Sequence, residues 1–500
     1  MHPLAITAVV ALITVTLAIG LNGMQFARST SDFLTARREP SQLAVAAGIS
    51  GAFISAASFM GIAALVMTYG IDMLWYSVGF TVGYLVLMIL VAAPLRRSGA
   101  FTLPDFAELR LSSTALRRIC SIFSVVIGWL CVFPQLKAAS IALTFLTGSS
   151  SVAGPLVVAL VAGVTIAAGG YNSIATVQSM QYWLKLAAVA LTAFVVWAVW
   201  FRAGSPTLGD GTWGEPLSGF GHRANPFYLN LSIVLATGLG VMGLPDIFTR
   251  YYSIKDGKQA RRTSFIVLVM LSAFYLFPPM IGALGRYFTP HLVGTADMDS
   301  LVLALPQAAV PGIWGDLIGA LVAAGVFAAI LSTTTGVTFS IASTLSQDLL
   351  RQKLSGIAGF RLGVLITIGI PFALVFLARD FNLAEMIVMA MAVGASTFAP
   401  LLILGIWWRG LSITGAIVGM LVGGITSTAA VLLALFRTLP ADWQSYVSSP
   451  AAWSVPLAFA TTVIVSVLTK DQRPANASVL LGRLHTPDRF GGLAGSELAD

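Results

Sequence analysis

The sequence predicts an all-α membrane protein of about 13 transmembrane helices, with an inverted five-helix repeat over spans 2–6 and 7–11 and discontinuous helices 2 and 7. Three observations lead there. Of 500 residues, 57% are hydrophobic and only 10% charged, whereas soluble domains carry roughly 25% charged residues. Apolar stretches long enough to span a bilayer, about 20 residues each, follow one another along the chain. Two of them carry glycine-rich interruptions in corresponding places, five spans apart and therefore opposite in direction.

The expected spans lie near residues 3–26, 43–70, 73–95, 115–148, 153–169, 177–203, 226–249, 263–285, 300–350, 357–377, 383–407, 411–436 and 451–469. They divide the chain into a first span and loop (1–42), a first repeat (43–203), an outer loop (204–225), a second repeat (226–407), two final spans (408–470) and a polar tail (471–500). The loop between Arg202 and Phe227 reads either as a solvated connector or as part of a gate. The tail after Lys470 is polar and Gly-rich, the composition of a mobile segment.

Net charge is +8, and topology accounts for it without nucleic acid. With the N-terminus outside, the inner loops and tail hold 21 Lys and Arg, among them Arg37, Arg38, Arg96, Arg97, Arg117, Arg118, Lys255, Lys258, Arg261, Arg262, Arg351 and Lys353. The outer loops hold 5: Arg202, Arg223, Arg286, Arg379 and Arg437. That asymmetry fits the positive-inside rule, an odd number of spans and a cytoplasmic C-terminus. The first apolar stretch lacks a basic leader and reads as a retained span. Cys120 and Cys131 are eleven residues apart on one span, about 16 Å along a helix and too far for a disulfide.

The second span contains GISG (Gly48–Gly51) followed by Ser55 and Ser58; the seventh contains GLGVMGLP (Gly238–Pro245). Broken backbone at membrane depth survives only where protein or a cavity satisfies its polar groups. Paired breaks of opposite direction mark inverted-repeat transporters, in which half-helix ends form ion and solute sites. The alternative is that glycine merely lets helices approach closely. Span nine carries a further polar stretch, AAILSTTT (Ala328–Thr335). The Ser332 and Thr333 hydroxyls, with carbonyls of span two, suit a small monovalent cation, whose single charge needs no carboxylate. The competing reading is that such hydroxyls bond their own helix or bridge neighbours.

Four motifs carry a family likeness: GISGAFISAASFMGIAALVMTYGIDMLWY, GLPDIFTRYY with ARRTSF, STTTGVTFSIASTLSQDL, and ASTFAPLLILGIWWRGLSITGAIVG. They resemble the sodium:solute symporter family over roughly residues 30–430, in order and without a large gap. The resemblance implies thirteen spans, an inverted repeat, and sodium as coupling ion with no other cofactor. It also implies a cation site formed by the carbonyls of Gly51, Ile54 and Ala329 with the hydroxyls of Ser332 and Thr333. Sugar- and proline-type relatives carry an Asp in span six, linked to a second sodium; here GGYNSIATVQSMQ places Gln178 there, which argues against a second ion.

FTLPDFAELRL (Phe101–Leu111), Gln135 and the STFAP turn resemble the cation–acetate branch, whereas Asp246 and Lys137 depart from it. The implied cargo is a short monocarboxylate such as acetate, propionate or pyruvate, contacted by Ser55, Ser58, Phe59, Gln135 and Lys137. Lys137 either pairs that anion or faces a watery vestibule or a neighbouring carbonyl. Lys185 is expected near the inner interface, its amine reaching toward water. Asp246 and Arg250, at i and i+4, are expected to pair or to belong to an inner gate. Alternatives for the whole are a sodium-coupled amino-acid, urea or other small-solute symporter, or a proton-coupled carrier.

The expected partners are a small anionic solute and membrane lipid, with no nucleic acid and no obligatory protein. The expected location is the bacterial cytoplasmic (inner) membrane. The chain does not read as an enzyme: its four histidines, His2, His222, His291 and His485, lie in loops or tails, and no metal cluster, P-loop or nucleophile triad is legible. No kinase domain follows to suggest a sensor, and a channel would need a continuous lined pore in place of paired broken helices.

Overall fold

A computed structural model describes residues 2–22, 41–209, 211–221, 225–349, 356–378, 381–437 and 439–486. Among them every regular element is helical. α1 (Pro3–Asn22) precedes a pair, α2 (Gln42–Phe53) and α3 (Ala57–Tyr69), bent by 70°. α4 (Leu74–Leu90), α5 (Ala92–Ser98) and α6 (Leu103–Leu111) lead into the long α7 (Thr114–Thr147). α8 (Ala153–Ala168) and α9 (Gly170–Arg202) are divided at Gly170. Its φ of 61° and ψ of −170° suit only a residue without Cβ.

The second half mirrors this plan. α10 (Pro226–Gly240) and α11 (Pro245–Tyr252) are separated by a 3₁₀ turn at Val241–Gly243 and an extended Leu244. Pro245 opens α11 at a position where its missing N–H costs nothing. Then follow α12 (Gly257–Tyr275), α13 (Phe277–Phe288), α14 (Leu301–Ala309), α15 (Ile313–Thr344), α16 (Gly356–Leu374), α17 (Leu383–Trp407), α18 (Ile413–Phe436), α19 (Ala441–Ser448), α20 (Ala451–Leu468) and α21 (Ala477–His485).

By length and composition, ten helical stretches suffice to cross a membrane, or eleven with α2 and α3 taken as one broken span. Shorter apolar helices at Ala153–Ala168 and Ala358–Leu374 fall on the two remaining expected spans. Thirteen expected segments therefore meet helices, of which ten or eleven satisfy the crossing criteria. α7, α15 and α17 are the most enclosed. α8 and α9 together pack along α15, α2 and α1, so the broken α2 lies at the centre of the bundle.

Both expected interruptions are present, but the first is displaced. GISG is helical, and the chain leaves the helix at Ile54, with φ −71° and ψ 95°. Gly48 and Gly51 instead allow close packing: a Cβ on Gly51 would lie 2.1 Å from the Gln178 carbonyl oxygen, and one on Gly48 would lie 3.3 Å from that of Ala175. The break itself comes where Ser55 can cap the next half-helix, its Oγ accepting from the Ser58 N–H at 3.4 Å.

The loop after Arg202 docks on the end of α3. Trp213 Nε1 donates to the Val66 carbonyl at 3.2 Å, and the Leu217 N–H donates to Asp72 at 2.9 Å. The Arg286 guanidinium lies over the Trp213 and Phe220 rings. FTLPDFAELRL forms α6 with a reciprocal Thr102–Asp105 cap. Arg110, buried in its last turn, donates to the Gly405 carbonyl at 2.7 Å. Cys120 and Cys131 are both free and buried on α7. Arg37, Arg38, Arg351, Lys353, Arg223, Arg379 and the tail from residue 487 lie outside the described residues.

The second break makes a clean stability test. A Cβ on Gly243 would lie 2.5 Å from the Gly394 Cα, whereas one on Gly238 meets nothing within 4 Å. Gly243→Ala is expected to destabilise by about 1–3 kcal/mol. Gly238→Ala, in a helix interior, should be neutral or stabilising by up to about 1 kcal/mol. Thermal midpoints of the two purified variants in detergent measure the difference.

Candidate cation and solute site

The break in α2 leaves carbonyls without intrahelical donors, and each of three finds a partner. The Gly51 oxygen accepts from Lys185 Nζ at 2.5 Å, the Ile54 oxygen from the same Nζ at 2.8 Å, and the Ala52 oxygen from Thr333 Oγ1 at 2.7 Å. Lys185 makes a third bond, to Ser332 Oγ at 2.9 Å, and that hydroxyl donates onward to the Ala329 carbonyl at 3.1 Å. All five residues expected to hold a cation thus converge on one junction of α2, α9 and α15. Gly51, Ile54 and Ser332 meet the ammonium directly. Ala329 is one hydroxyl removed, and Thr333 serves the adjacent carbonyl.

The expectation for Lys185 is overturned. It does not reach toward an interface: its side chain is fully buried and its amine lies among the oxygens assigned to a cation. The error arises from treating a lysine in a span as a long stem seeking water. Here a helix C-terminus at membrane depth, the negative end of its dipole, is the nearer counter-charge. The signal was present in the sequence: Lys185 lies seven residues, about two helical turns, beyond Gln178 and on nearly the same face of α9.

Gln178 forms the next layer. Its Nε2 donates to the Ser332 carbonyl at 2.7 Å, and its Oε1 accepts from the Arg250 guanidinium. That guanidinium also lies 5.4 Å from the centre of the Tyr171 ring. The expected Asp246–Arg250 pair does not form a salt bridge among the described residues, because Arg250 turns to Gln178. Asp246 is buried, near Gly336 of α15.

The residues expected to touch the solute cluster at the other end of the same break. Gln135 Oε1 accepts from the Ala56 N–H at 3.1 Å, which ties α7 to the start of the second half-helix. Ser58 Oγ and the Tyr275 hydroxyl are 2.8 Å apart. Phe59 is buried beside Phe274, with ring centres 6.0 Å apart. Phe53, Phe80 and Tyr84 continue this aromatic wall. Lys137 goes elsewhere. Its Nζ donates to the Phe381 carbonyl at 2.8 Å, the neighbouring-carbonyl alternative. Near it Asp299 accepts from Asn382 at 2.5 Å and from the Leu383 N–H at 3.2 Å. Burial pushes the Asp299 carboxyl up to about 7, against the pull of the Lys137 ammonium.

Residues 33–423 match the sodium:solute symporter family. The chain belongs to that family. Along nearly its whole length it is similar to YwcA of Bacillus subtilis (strain 168), an uncharacterized symporter, with 28% identity over 491 residues covering 94% of this chain and 96% of that protein. Its fold is similar to that of a Na⁺-coupled sialic acid symporter in a substrate-bound outward-open state (TM-score 0.68, 16% identity, 92% of this chain and 98% of that one). It is also similar to Mhp1, a nucleobase-cation-symport-1 family transporter (TM-score 0.57, 15% identity, 88% and 96%). The latter two are likenesses of fold. Membership makes the chain a membrane-embedded solute symporter and not an enzyme, and the family implies sodium as its coupling ion.

For this symporter, Gln178→Leu removes the acceptor of a buried guanidinium and the donor to the Ser332 carbonyl. A loss of about 2–4 kcal/mol is expected, read as a lowered thermal midpoint. Gln178→Glu, which keeps an acceptor for Arg250, should lose less.

Proposed function

We propose that this symporter takes up a short monocarboxylate, of the size of acetate, propionate or pyruvate, by alternating access about the two broken helices. The observation that carries the reading is the break between α2 and α3, which sets a helix C-terminus against a cation and a helix N-terminus beside the polar groups of Ser55, Ser58 and Gln135. Half-helix N-termini attract anionic groups. The Phe59, Phe274 and Tyr275 side chains leave an apolar wall suited to a small alkyl group. The likeness of Phe101–Leu111 and of the STFAP turn to acetate-type relatives supports the same choice. Ser58, a small side chain tied to Tyr275, offers no large amide for a sugar. In this reading Lys137 belongs to the wall near Phe381 and Asp299, and the inner face of the membrane is the one that carries the basic loops.

Uptake by the purified protein in liposomes, with labelled acetate, propionate, pyruvate, proline and glucose, tests the cargo. The three monocarboxylates should accumulate and should inhibit one another; selective accumulation of proline or glucose would refute the assignment. Lys137→Met should change the KM for acetate by less than about twofold, about 0.4 kcal/mol, since its amine bonds the Phe381 carbonyl, away from the Ser55, Ser58 and Gln135 cluster. Gln135→Ala should reduce uptake about fivefold or more, the effect of roughly 1 kcal/mol for one buried hydrogen bond.

A further inference from the structure

We infer that the second break is a cation site of its own: the Asp246 carboxylate and the Tyr84 hydroxyl hold a sodium ion between them, beside the C-terminal end of α10. The inference rests on sodium coupling, which family membership implies, and is independent of the cargo.

The first observation is the state of Asp246. It is the second residue of α11 and is buried, 7% exposed. Among the described residues no other group donates to its carboxylate; its own N–H does. A buried carboxylate needs a counter-charge or several donors, and its place at a helix N-terminus answers only part of that need. The two buried cations nearby are engaged elsewhere. Arg250 donates to Gln178 and lies over the Tyr171 ring. Lys185 directs its three N–H groups to Gly51, Ile54 and Ser332. Asp246 instead faces Gly336 of α15, where a Cβ would lie 3.9 Å from Oδ2. Thr249, one turn on, fixes this part of α11 against α15 through Ser340, with the two hydroxyls 3.4 Å apart.

The second observation is independent and comes from α4. The Tyr84 hydroxyl is fully buried and has no hydrogen-bond partner. The ionisable groups around it are Tyr251, Asp246, Arg250 and Tyr275. Tyr251 meets Ser264 at 2.5 Å, Tyr275 meets Ser58 at 2.8 Å and Arg250 meets Gln178. Asp246 is the one of the four left without such a partner. The Tyr84 ring is held in place by Phe53, which meets it edge-on with centres 4.9 Å apart. Its neighbour Gly83 lies against the end of α10, where a Cβ would be 2.5 Å from the Thr237 carbonyl oxygen. The phenol therefore stands where the α10 dipole is negative.

The chemistry of this pair selects the ligand. A carboxylate and a phenol oxygen that lie near one another without a hydrogen bond both offer lone pairs to whatever sits between them. An anion is repelled by the carboxylate and by the α10 end. A transition metal prefers nitrogen and sulfur ligands or several carboxylates, and no group of three His, Cys, Asp or Glu occurs among the described residues. A small monovalent cation takes neutral oxygens readily and needs one negative charge at most. Arg250 and Lys185 oppose it from farther away than the carboxylate attracts it, which leaves the site weak. The two breaks then differ in kind: a lysine fills the oxygens of the first, and a carboxylate at the second is left for a free ion.

Thermal midpoints of the purified full chain in detergent, in sodium, potassium or choline chloride at equal ionic strength and without solute, test the site. Sodium should raise the wild-type midpoint above that in choline. Asp246→Asn should abolish that rise. Tyr84→Phe should increase the sodium concentration at half the rise about fivefold, the effect of one buried polar contact. Thr333→Val, at the first break, should keep the rise. Absence of a sodium-specific rise in the wild type, an equal rise in potassium, an undiminished rise in Asp246→Asn, or its loss in Thr333→Val would overturn the inference. Should Asp246→Asn not fold, the wild-type and Tyr84→Phe arms decide. Because no solute is present, failure of the proposed cargo in liposomes is judged separately.

Discussion

The helix C-terminus of α2 ends inside the protein at membrane depth, and its carbonyls must be met there. In water such an end is solvated; in a bilayer each unmet carbonyl costs several kcal/mol. The dipole of the half-helix adds a negative field at the same point. A positive charge with several donors answers both demands, and Lys185 supplies it from α9. The rest of the junction follows from bringing that amine within reach. Gly48 and Gly51 allow α2 to lie against the α9 backbone, and Gly336 leaves room for the Gln178 amide on α15. Thr333 on α15 takes a further carbonyl of the last turn, that of Ala52.

A tethered charge changes the character of such a site. A free ion must be attracted, dehydrated and released in each cycle, and the helices it joins loosen when it is absent. An ammonium held by its own chain is always present. A second monovalent cation at 4 Å from it would meet a repulsion on the order of 4 kcal/mol at the effective dielectric typical of proteins. That is about a thousandfold in affinity, at 1.4 kcal/mol per tenfold. Family membership and the expected sodium oxygens therefore coexist in this chain with a side chain that competes for them.

Much of this was legible in the residues. Hydrophobic content and span length gave the helical bundle, and GLGVMGLP located the second break where Leu244 leaves the helix. STTT placed two hydroxyls beside the first break, where Ser332 and Thr333 now lie. The position of the first break was misplaced by three residues because glycine signals two things: backbone freedom and absence of bulk. At Gly51 the second applies, since its missing Cβ is what the Gln178 carbonyl requires. Lys185 and Arg250 were misread for one reason. Their partners are backbone carbonyls and amides on other helices, and no spacing within one helix reveals them. The Asp246–Arg250 spacing was real, but tertiary contact with Gln178 prevailed over it.

The two ends of the break also bring the group proposed for the solute close to the Lys185 amine. Ile54 gives its carbonyl to Lys185, and Ala56, two residues on, gives its N–H to Gln135 in the group assigned to the solute. The contacts of Nζ and of Gln135 therefore lie on the same short stretch of chain, Ile54–Ala56. Charge balance favours the same pairing. Were the proposed monocarboxylate to enter with one monovalent cation, no net charge would cross, and the membrane potential, about 2.3 kcal/mol per charge per 100 mV, would neither help nor hinder it. The concentration gradients alone set the direction, each tenfold ratio contributing about 1.4 kcal/mol.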